Sequence, residues 1–496
     1  MTVALDSASA SLLSTRRGMA TLLLLCAIQF LDILDSSIMN VALPSIQHDL
    51  GFSQQNLQWV LSGYVLTYGG FLLLGGRAAD LVGRRRVLIT GVVLFAGASL
   101  AGGLSTTSGA LIAARLIQGF GAALMAPAGL SILTTTFSNP VDRHKALGLW
   151  GAISGLAAAA GVFLGGILSE GPGWRWVLFV NLPVCALILA SAFVLIAGER
   201  KRFSLSGFDF PGAALVTAGV LLVVYALVKA PNVGWTNRHT IGEIATAAVL
   251  LAAFSLNERR RQNPLTPFSI FRTKGLLAAD TTQLIGFAGF YSMFFFLTLY
   301  MQNVLRYSPI RAGAAYLPVT VGIGIAATVS AKLFVRIGTK PVIVTGSALA
   351  AVAMYYLSRV PLDGSYARDL LPGLVLMSLG LGAVFVGVTT AANAGVAESE
   401  AGLAAGLLNT AQQLGAALGL AIFSALATAR TNDLLAAHAN TAHALTSGYH
   451  RALVACSIFV GVAAVVALRA ANARQQAAVA GDSNASRPEP LPVPEG

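Results

Sequence analysis

The residues with the clearest chemical potential share one apolar helix, Gln29-Phe-Leu-Asp32-Ile-Leu-Asp35-Ser-Ser-Ile-Met-Asn40-Val-Ala-Leu-Pro44. At 100° per residue, Gln29, Asp32, Asp35, Ser36 and Asn40 occupy a sector of about 140°. Each ionised group at mid-membrane costs about 2.5–3.5 kcal/mol, so this face should look into a bundle or a wet cavity. Like charge and desolvation both favour the protonated acid, and Asp32 and Asp35 lie three residues apart. Reversible proton uptake near neutral pH is what a proton-coupled carrier requires. A polar patch that only fixes helix packing is the plainer alternative, and it weighs more on Asp32 than on Asp35.

One cation complements these acids. Arg115, in Leu111-Ile-Ala-Ala-Arg115-Leu-Ile-Gln118-Gly119, is the one basic residue inside an apolar segment. At about 1.5 Å per residue, Arg115 lies about 10 Å and Asp35 about 13 Å from the same membrane face. These depths suit an ion pair that protonation would break, or a static packing pair. Gln118, one turn on, is a candidate for the same cavity. In the second half of the chain, Asn409 and Gln413 are the polar candidates, and Asp280 lies near a segment end. An aromatic run holds Phe287, Phe290, Tyr291, Phe294, Phe295, Phe296 and Tyr300. Phe290 and Phe294 are candidates to line a cavity for greasy or cationic ligands, although lipid-facing bulk explains most such rings.

Two further motifs concern movement. Gly76-Arg-Ala-Ala-Asp80-Leu-Val-Gly83-Arg84-Arg85-Arg86 places a tight turn beside charges that can bond between helix ends; it also reads as a simple topology anchor. Gly151, Gly155, Gly161, Gly165 and Gly166 let one helix approach its neighbours closely.

The elements that position these residues follow from composition. Of the 496 residues, 56% are hydrophobic and only 10% charged, whereas a soluble domain carries about 25% charged residues. A soluble enzyme, a nucleic-acid binder and a disordered chain are excluded, and the net charge of +12 falls in short bursts between apolar stretches. Cys26, Cys185 and Cys456 show no paired spacing, so neither a disulfide framework nor a metal site is expected. Fourteen segments are long enough to span a bilayer: 19–43, 57–77, 87–105, 109–135, 147–169, 176–198, 211–229, 240–257, 278–304, 312–333, 341–360, 370–393, 402–428 and 449–470. The first should end at Pro44. The runs are continuously apolar rather than alternating, which excludes a barrel and predicts an all-α polytopic membrane protein. With the N-terminus in the cytoplasm, 22 of the 32 basic residues fall on that side, so both termini are expected there. Trp59, Trp174, Trp176 and Trp235 read as interfacial anchors. The loop 429–448, with His438 and His443, and His450 just beyond, reads as solvated.

An internal repeat organises the spans. Asp80–Gly91 resembles 335–346 at an offset of 255 residues, Phe52-Ser53 falls on Tyr307-Ser308 at the same offset, and Gly119–Ala122 matches Gly380–Ala383. The expected organisation is a cytoplasmic tail (1–18), a six-helix bundle (19–198), inserted spans 7 and 8 with linkers (199–276), a second six-helix bundle (277–470) and a disordered tail (471–496). Parallel repeats of this kind let two bundles rock about a central site. No phosphate-binding Gly-x4-Gly-Lys-Ser/Thr motif occurs, so an ion gradient rather than ATP is the expected energy source.

Together these residues resemble the major facilitator superfamily, specifically its 14-spanner drug:proton antiporter branch (the EmrB/QacA type). Asp35–Pro44 is similar to the branch's first-helix motif, Gly76–Arg86 to the superfamily's loop motif, and Arg115–Gly119 to its fourth-helix motif. Trp174-Arg-Trp-Val-Leu-Phe-Val-Asn181-Leu-Pro183 is also similar to the branch. The resemblance covers residues 19–470 and implies alternating access. A hydrophobic or amphipathic compound would leave as protons load Asp35, with Asp32, and loosen the Arg115 contact. Gly155, Gly161, Gly165 and Gly166 would form the fifth-helix antiporter motif, but Val162 stands where that motif has proline. The implied protein is not an enzyme and needs no cofactor or metal beyond the proton gradient. It would be a monomer in the inner or plasma membrane of a bacterium, with no nucleic-acid partner. An importer of the same superfamily, or a membrane receptor without flux, are the rival readings.

Overall fold

The computed structural model describes residues 12–196, 209–261, 268–273, 275–394, 396 and 401–472. Every element among them is helical. The first bundle contains α1 (Arg16–Leu50), α2 (Trp59–Val82), α3 (Arg84–Gly103), α4 (Ser108–Thr136), α5 (Pro140–Glu170) and α6 (Asn181–Leu195). The inserted pair is α7 (Phe210–Val233) and α8 (Arg238–Arg260). The second bundle contains α9 (Leu276–Leu299), α10 (Leu317–Ile337), α11 (Thr339–Leu357), α12 (Leu371–Asn393), α13 (Ala401–Ala436) and α14 (Thr441–Ala467). Among the described residues, 13 helices are long and apolar enough to cross a membrane; the corresponding stretch of α7 is shorter, Pro211–Ala226. Arg200, Lys201, Arg202, Lys274, Arg474, Arg487, nearly all of the expected C-terminal tail, and the side chain of Asp80 lie outside the described residues.

Three expectations about boundaries and anchors are corrected. Pro44 does not end the first helix, which continues to Leu50 and stops at Gly51 in the left-handed region (φ 63°). A proline removes only the hydrogen bond to the carbonyl four residues back, here Asn40 O, and a membrane helix can run on through that gap. One residue further on, Gln302 Nε2, just beyond α9, donates to Val41 O at 2.9 Å. The loop expected over 429–448 shrinks to four residues, because α13 runs to Ala436 and α14 starts at Thr441. Asn440 caps α14 by accepting from Ala442 N, and His438 makes the turn with φ 59°. His438 and His443 are exposed, while His450 lies on α14 with its ring 2.7 Å from Val360 O. Trp174 is not an interfacial anchor: it is buried and donates to Asp49 at 2.9 Å.

The repeat is visible in backbone geometry. Gly83 and Gly338, 255 residues apart, both join successive spans with positive φ, 106° and 84°. A side chain is strained in that region, so glycine holds both turns. Ser53 and Ser308, related by the same offset, both cap short helical turns by accepting a backbone N–H three residues on.

Two hydrophobic cores follow the two bundles. One gathers Leu25, Leu88, Phe95 and Met125, the other Met293, Met354, Leu374 and Leu453. The second core also takes in Ile38, Met39, Leu43 and Ile46 of α1, so the bundles are joined at the Asp49 end. At that end Glu170 of α5 accepts from Ile310 N at 3.1 Å. A Cβ on Gly166 would strike the Pro309 backbone, and one on Gly313 would strike Val162 O. On the opposite flank α2 packs on α13, and the inserted helix α7 covers both. Thr217 of α7 donates to Gly70 O at 2.9 Å.

Candidate functional site

Asp35 is fully buried, and both of its carboxylate oxygens are occupied. Oδ2 receives Arg115 Nη1 at 2.6 Å; Oδ1 receives Gln118 Nε2 at 2.7 Å and Asn181 Nδ2 at 2.8 Å. Four helices therefore meet at one carboxylate: α1, α4, α6 and, through Ser99 Oγ accepting from Gln118 at 2.9 Å, α3. Arg115 is equally buried. Its Nε donates to Val60 O at 2.9 Å, and Nη1 also reaches Gln118 Oε1 at 2.6 Å. Its guanidinium carbon sits 4.4 Å from the centre of the Tyr64 ring. Burying such a pair is costly unless the remaining donors and acceptors are satisfied, and here most are.

Asp32 belongs to an adjoining arrangement. Its oxygens accept from Tyr64 Oη at 2.7 Å and Tyr68 Oη at 2.8 Å, both on α2. Tyr64 thus connects the two acids: its hydroxyl bonds Asp32 while its ring lies against Arg115. The Tyr68 hydroxyl also meets Gln413 of α13, which carries the Asp32 cluster across the junction between bundles. From the second bundle, Tyr291 packs against both cores and lies within electrostatic reach of Arg115 and Asp35. Among the described residues, the Tyr291 hydroxyl, Arg115 Nη2 and the Asn40 and Asn181 side-chain carbonyls have no hydrogen-bond partner. These polar atoms are available to water or a ligand.

The remaining candidates are spread more widely. Gln29 turns towards α5 and donates to Ser154 Oγ at 2.8 Å, while Asn40 donates to Ser36 O of its own helix at 3.3 Å. Phe290 is buried in the second core, and Phe294 stacks at 5.3 Å against Tyr316. Asn409 is exposed on α13. Gly76 is half-buried beside Pro127 of α4. Arg84 donates to Thr135 Oγ1 at 3.1 Å and Arg85 to Phe193 O at 3.0 Å, so both bind helices of their own bundle. Gly161 and Gly165 seat α5 on the backbone of α1 at Leu34 and Ile38, one residue before and three residues after Asp35. Gly155 lies nearer the start of α5, which runs unbroken through Val162.

Tyr64, Tyr68 and Ser99 have no assigned place in the site from sequence, Tyr291 appears only as one ring of the aromatic run that could line a cavity, and Asn181 appears only within a similarity motif. The signal for Tyr64 and Tyr68 was their spacing of four in an apolar helix, which puts two hydroxyls on one face. The Val60 carbonyl had no signal, because a backbone acceptor is invisible to side-chain patterning.

The Major Facilitator Superfamily profile matches residues 25–420. The chain is 39% identical over 457 residues to the puromycin resistance protein pur8 of Streptomyces alboniger, covering 90% of each chain. It is 36% identical over 455 residues to the cephamycin export protein CmcT of Amycolatopsis lactamdurans, covering 91% of this chain and 92% of that one. Among solved structures, a D-xylose–proton symporter superposes with a TM-score of 0.65 at 14% identity, covering 92% of this chain and 99% of the other. An autoinhibited POT-family peptide transporter gives 0.66 at 15% identity, covering 90% and 96%. At these identities the structural likeness speaks for the fold alone. The profile and the sequence relatives settle the family: the chain is a multi-pass membrane protein of the Major Facilitator Superfamily.

Proposed function

We propose that this protein is a secondary exporter that moves hydrophobic or amphipathic small molecules out of a bacterial cell in exchange for protons, with both termini cytoplasmic. The observation that carries the coupling is the buried Asp35–Arg115 pair, held at 2.6 Å with every Asp35 oxygen occupied. Antibiotic resistance and export proteins among the sequence relatives support the direction and the kind of cargo.

The coupling follows from charge balance. A proton on Asp35 cancels its negative charge and removes the ionic attraction to Arg115. The guanidinium keeps Val60 O, Gln118 Oε1 and the Tyr64 ring. The links from α1 to α4 and α6 weaken together, which loosens the first bundle from within beside the face on which the bundles rock. In the proposed orientation the Asp49 end is extracellular, and there the two bundles are in contact. Each proton entering at −100 mV supplies about 2.3 kcal/mol to the cycle.

Proteoliposomes carrying a pH gradient test this reading. Asp35→Asn should fold normally, bind substrate and lose proton-driven flux by at least about 100-fold, the rate equivalent of about 2.7 kcal/mol. Wild-type-like flux in Asp35→Asn would overturn the assignment.

A further inference from the structure

At the Asp49 end, the second bundle has a cavity that the proposed coupling does not use. It opens between the segment after α9 and the loop from α11 to α12, and its volume of about 570 Å³ is that of a small-molecule site. The backbone is unusual on both of its walls. One turn of π-helix, Tyr300–Val304, follows α9, and another, Tyr366–Leu370, leads into α12. Such turns are rare and concentrate at functional sites. Between them Arg306 lies in the left-handed region (φ 57°), a conformation that is costly for any residue but glycine.

Hydrogen bonds fix the two walls to each other. The Tyr300 hydroxyl donates to Pro361 O of the α11–α12 loop, and the Tyr366 hydroxyl donates to Ala315 O of the short helix Pro309–Ala315 at 2.9 Å. Asp369 accepts from Ser365 N at 2.7 Å, which folds that loop back on the start of α12. Each wall contributes one charge, Arg311 and Asp363, and both side chains are exposed. Among the described residues neither is in an ion pair. The guanidinium carbon of Arg311 sits 3.9 Å from the centre of the Tyr307 ring. Stacking covers one face of the planar group and leaves its N–H edge free for a carboxylate. Asp363 offers the complementary acceptor for an ammonium. Leu305 and Leu362 add apolar lining. Solvation accounts for either charge taken singly, but not for two opposite charges brought into one cavity by walls bonded together.

We propose that this cavity is a binding site for small zwitterions with an apolar body. Arg311 takes the carboxylate, Asp363 the ammonium, and Leu305 and Leu362 the hydrocarbon. The short helix that carries Arg311 also meets α5 through Ile310 N and Gly313, so a bound molecule touches the element that joins the bundles at this end. The site is independent of the Asp35–Arg115 cluster and of the direction of transport.

Ligand-observed NMR titration of the purified full-length protein in lipid nanodiscs, with empty discs subtracted, tests the assignment. The probes are phenylalanine, 3-phenylpropionate, which lacks the ammonium, and phenethylamine, which lacks the carboxylate. Phenylalanine should bind saturably and at least about threefold more tightly than either analogue, the scale of one exposed ionic contact. Arg311→Gln should weaken phenylalanine and 3-phenylpropionate at least about threefold and leave phenethylamine within about twofold. Asp363→Asn should weaken phenylalanine and phenethylamine by the same factor and spare 3-phenylpropionate. The probe that each variant spares reports that its fold is intact. Absence of saturable phenylalanine binding, or losses that do not follow this charge pattern, would overturn the proposal. No gradient is imposed, so the result stands apart from the flux of Asp35→Asn.

Discussion

The two bundles share a fold and an internal repeat but treat buried charge in opposite ways. In the first, Asp32, Asp35 and Arg115 are enclosed by hydroxyl, amide and backbone partners from α1, α2, α3, α4 and α6. In the second, the core gathers Phe290, Phe295, Phe296 and Tyr300, and among the described residues Asp280 Oδ1 has no hydrogen-bond partner. Backbone repeats such as Gly83/Gly338 and Ser53/Ser308 survive in both halves. Polar side chains in the interior do not. A duplicated scaffold therefore preserves the turns and crossings that shape it and leaves interior chemistry free to diverge.

The largest test of this contrast is Arg115→Leu. It leaves Asp35 ionised and buried beside an apolar side chain, which should cost about 3–5 kcal/mol, read by denaturation of the protein in detergent. Arg115→Leu with Asp35→Asn should recover most of that loss, and no recovery would mean the pair is not the energetic centre of the bundle. Next comes Gly313→Leu at the closed junction, where the new side chain meets Val162 O. We expect flux to fall at least about tenfold with the fold intact, because the Asp49 end can no longer close; unchanged flux would show that this contact is not part of the cycle. Tyr68→Phe should cost about 1.5–3 kcal/mol of stability, since it deletes a hydrogen bond to a charged acceptor. A Gln413→Leu change in the Tyr68→Phe background should then add little, if the two act as one bridge. Asp49→Asn is the smallest: its partner Arg175 is exposed, so stability should shift by no more than about 1 kcal/mol. A larger shift in the melting midpoint would mean that the end of α1 matters more than its exposure suggests.

The sequence reveals some of these features more readily than others. Hydropathy located thirteen of the fourteen expected spans as long apolar helices, because each must be apolar over about 20 residues whatever surrounds it; the apolar stretch of α7 is shorter. Pro44 and the 429–448 segment misled for a related reason: helix ends outside the hydrocarbon are set by caps such as Gly51 and Asn440 and not by hydropathy. Asp35 and Arg115 stood out because charge is rare in such spans, and depth alone brought them together. Phe290 illustrates the limit. When a helix is apolar all round, periodicity cannot say which ring faces the core, the cavity or the lipid. The hydroxyls of Tyr64 and Tyr68 were hidden in the same way, since tyrosine counts as apolar until a carboxylate is placed beside it.

The inserted pair α7–α8 gives the molecule a mechanical handedness. Its first helix, α7, covers the α2–α13 flank with Thr217 bonded to the α2 backbone, an edge that should act as a door's hinge, with the α5–α10 edge as its swinging side. The bundles should then open unequally, like a book bound along one margin. Spin labels placed on the two edges should record the larger distance change across α5 and α10 during turnover, and equal changes would show that the binding carries no load.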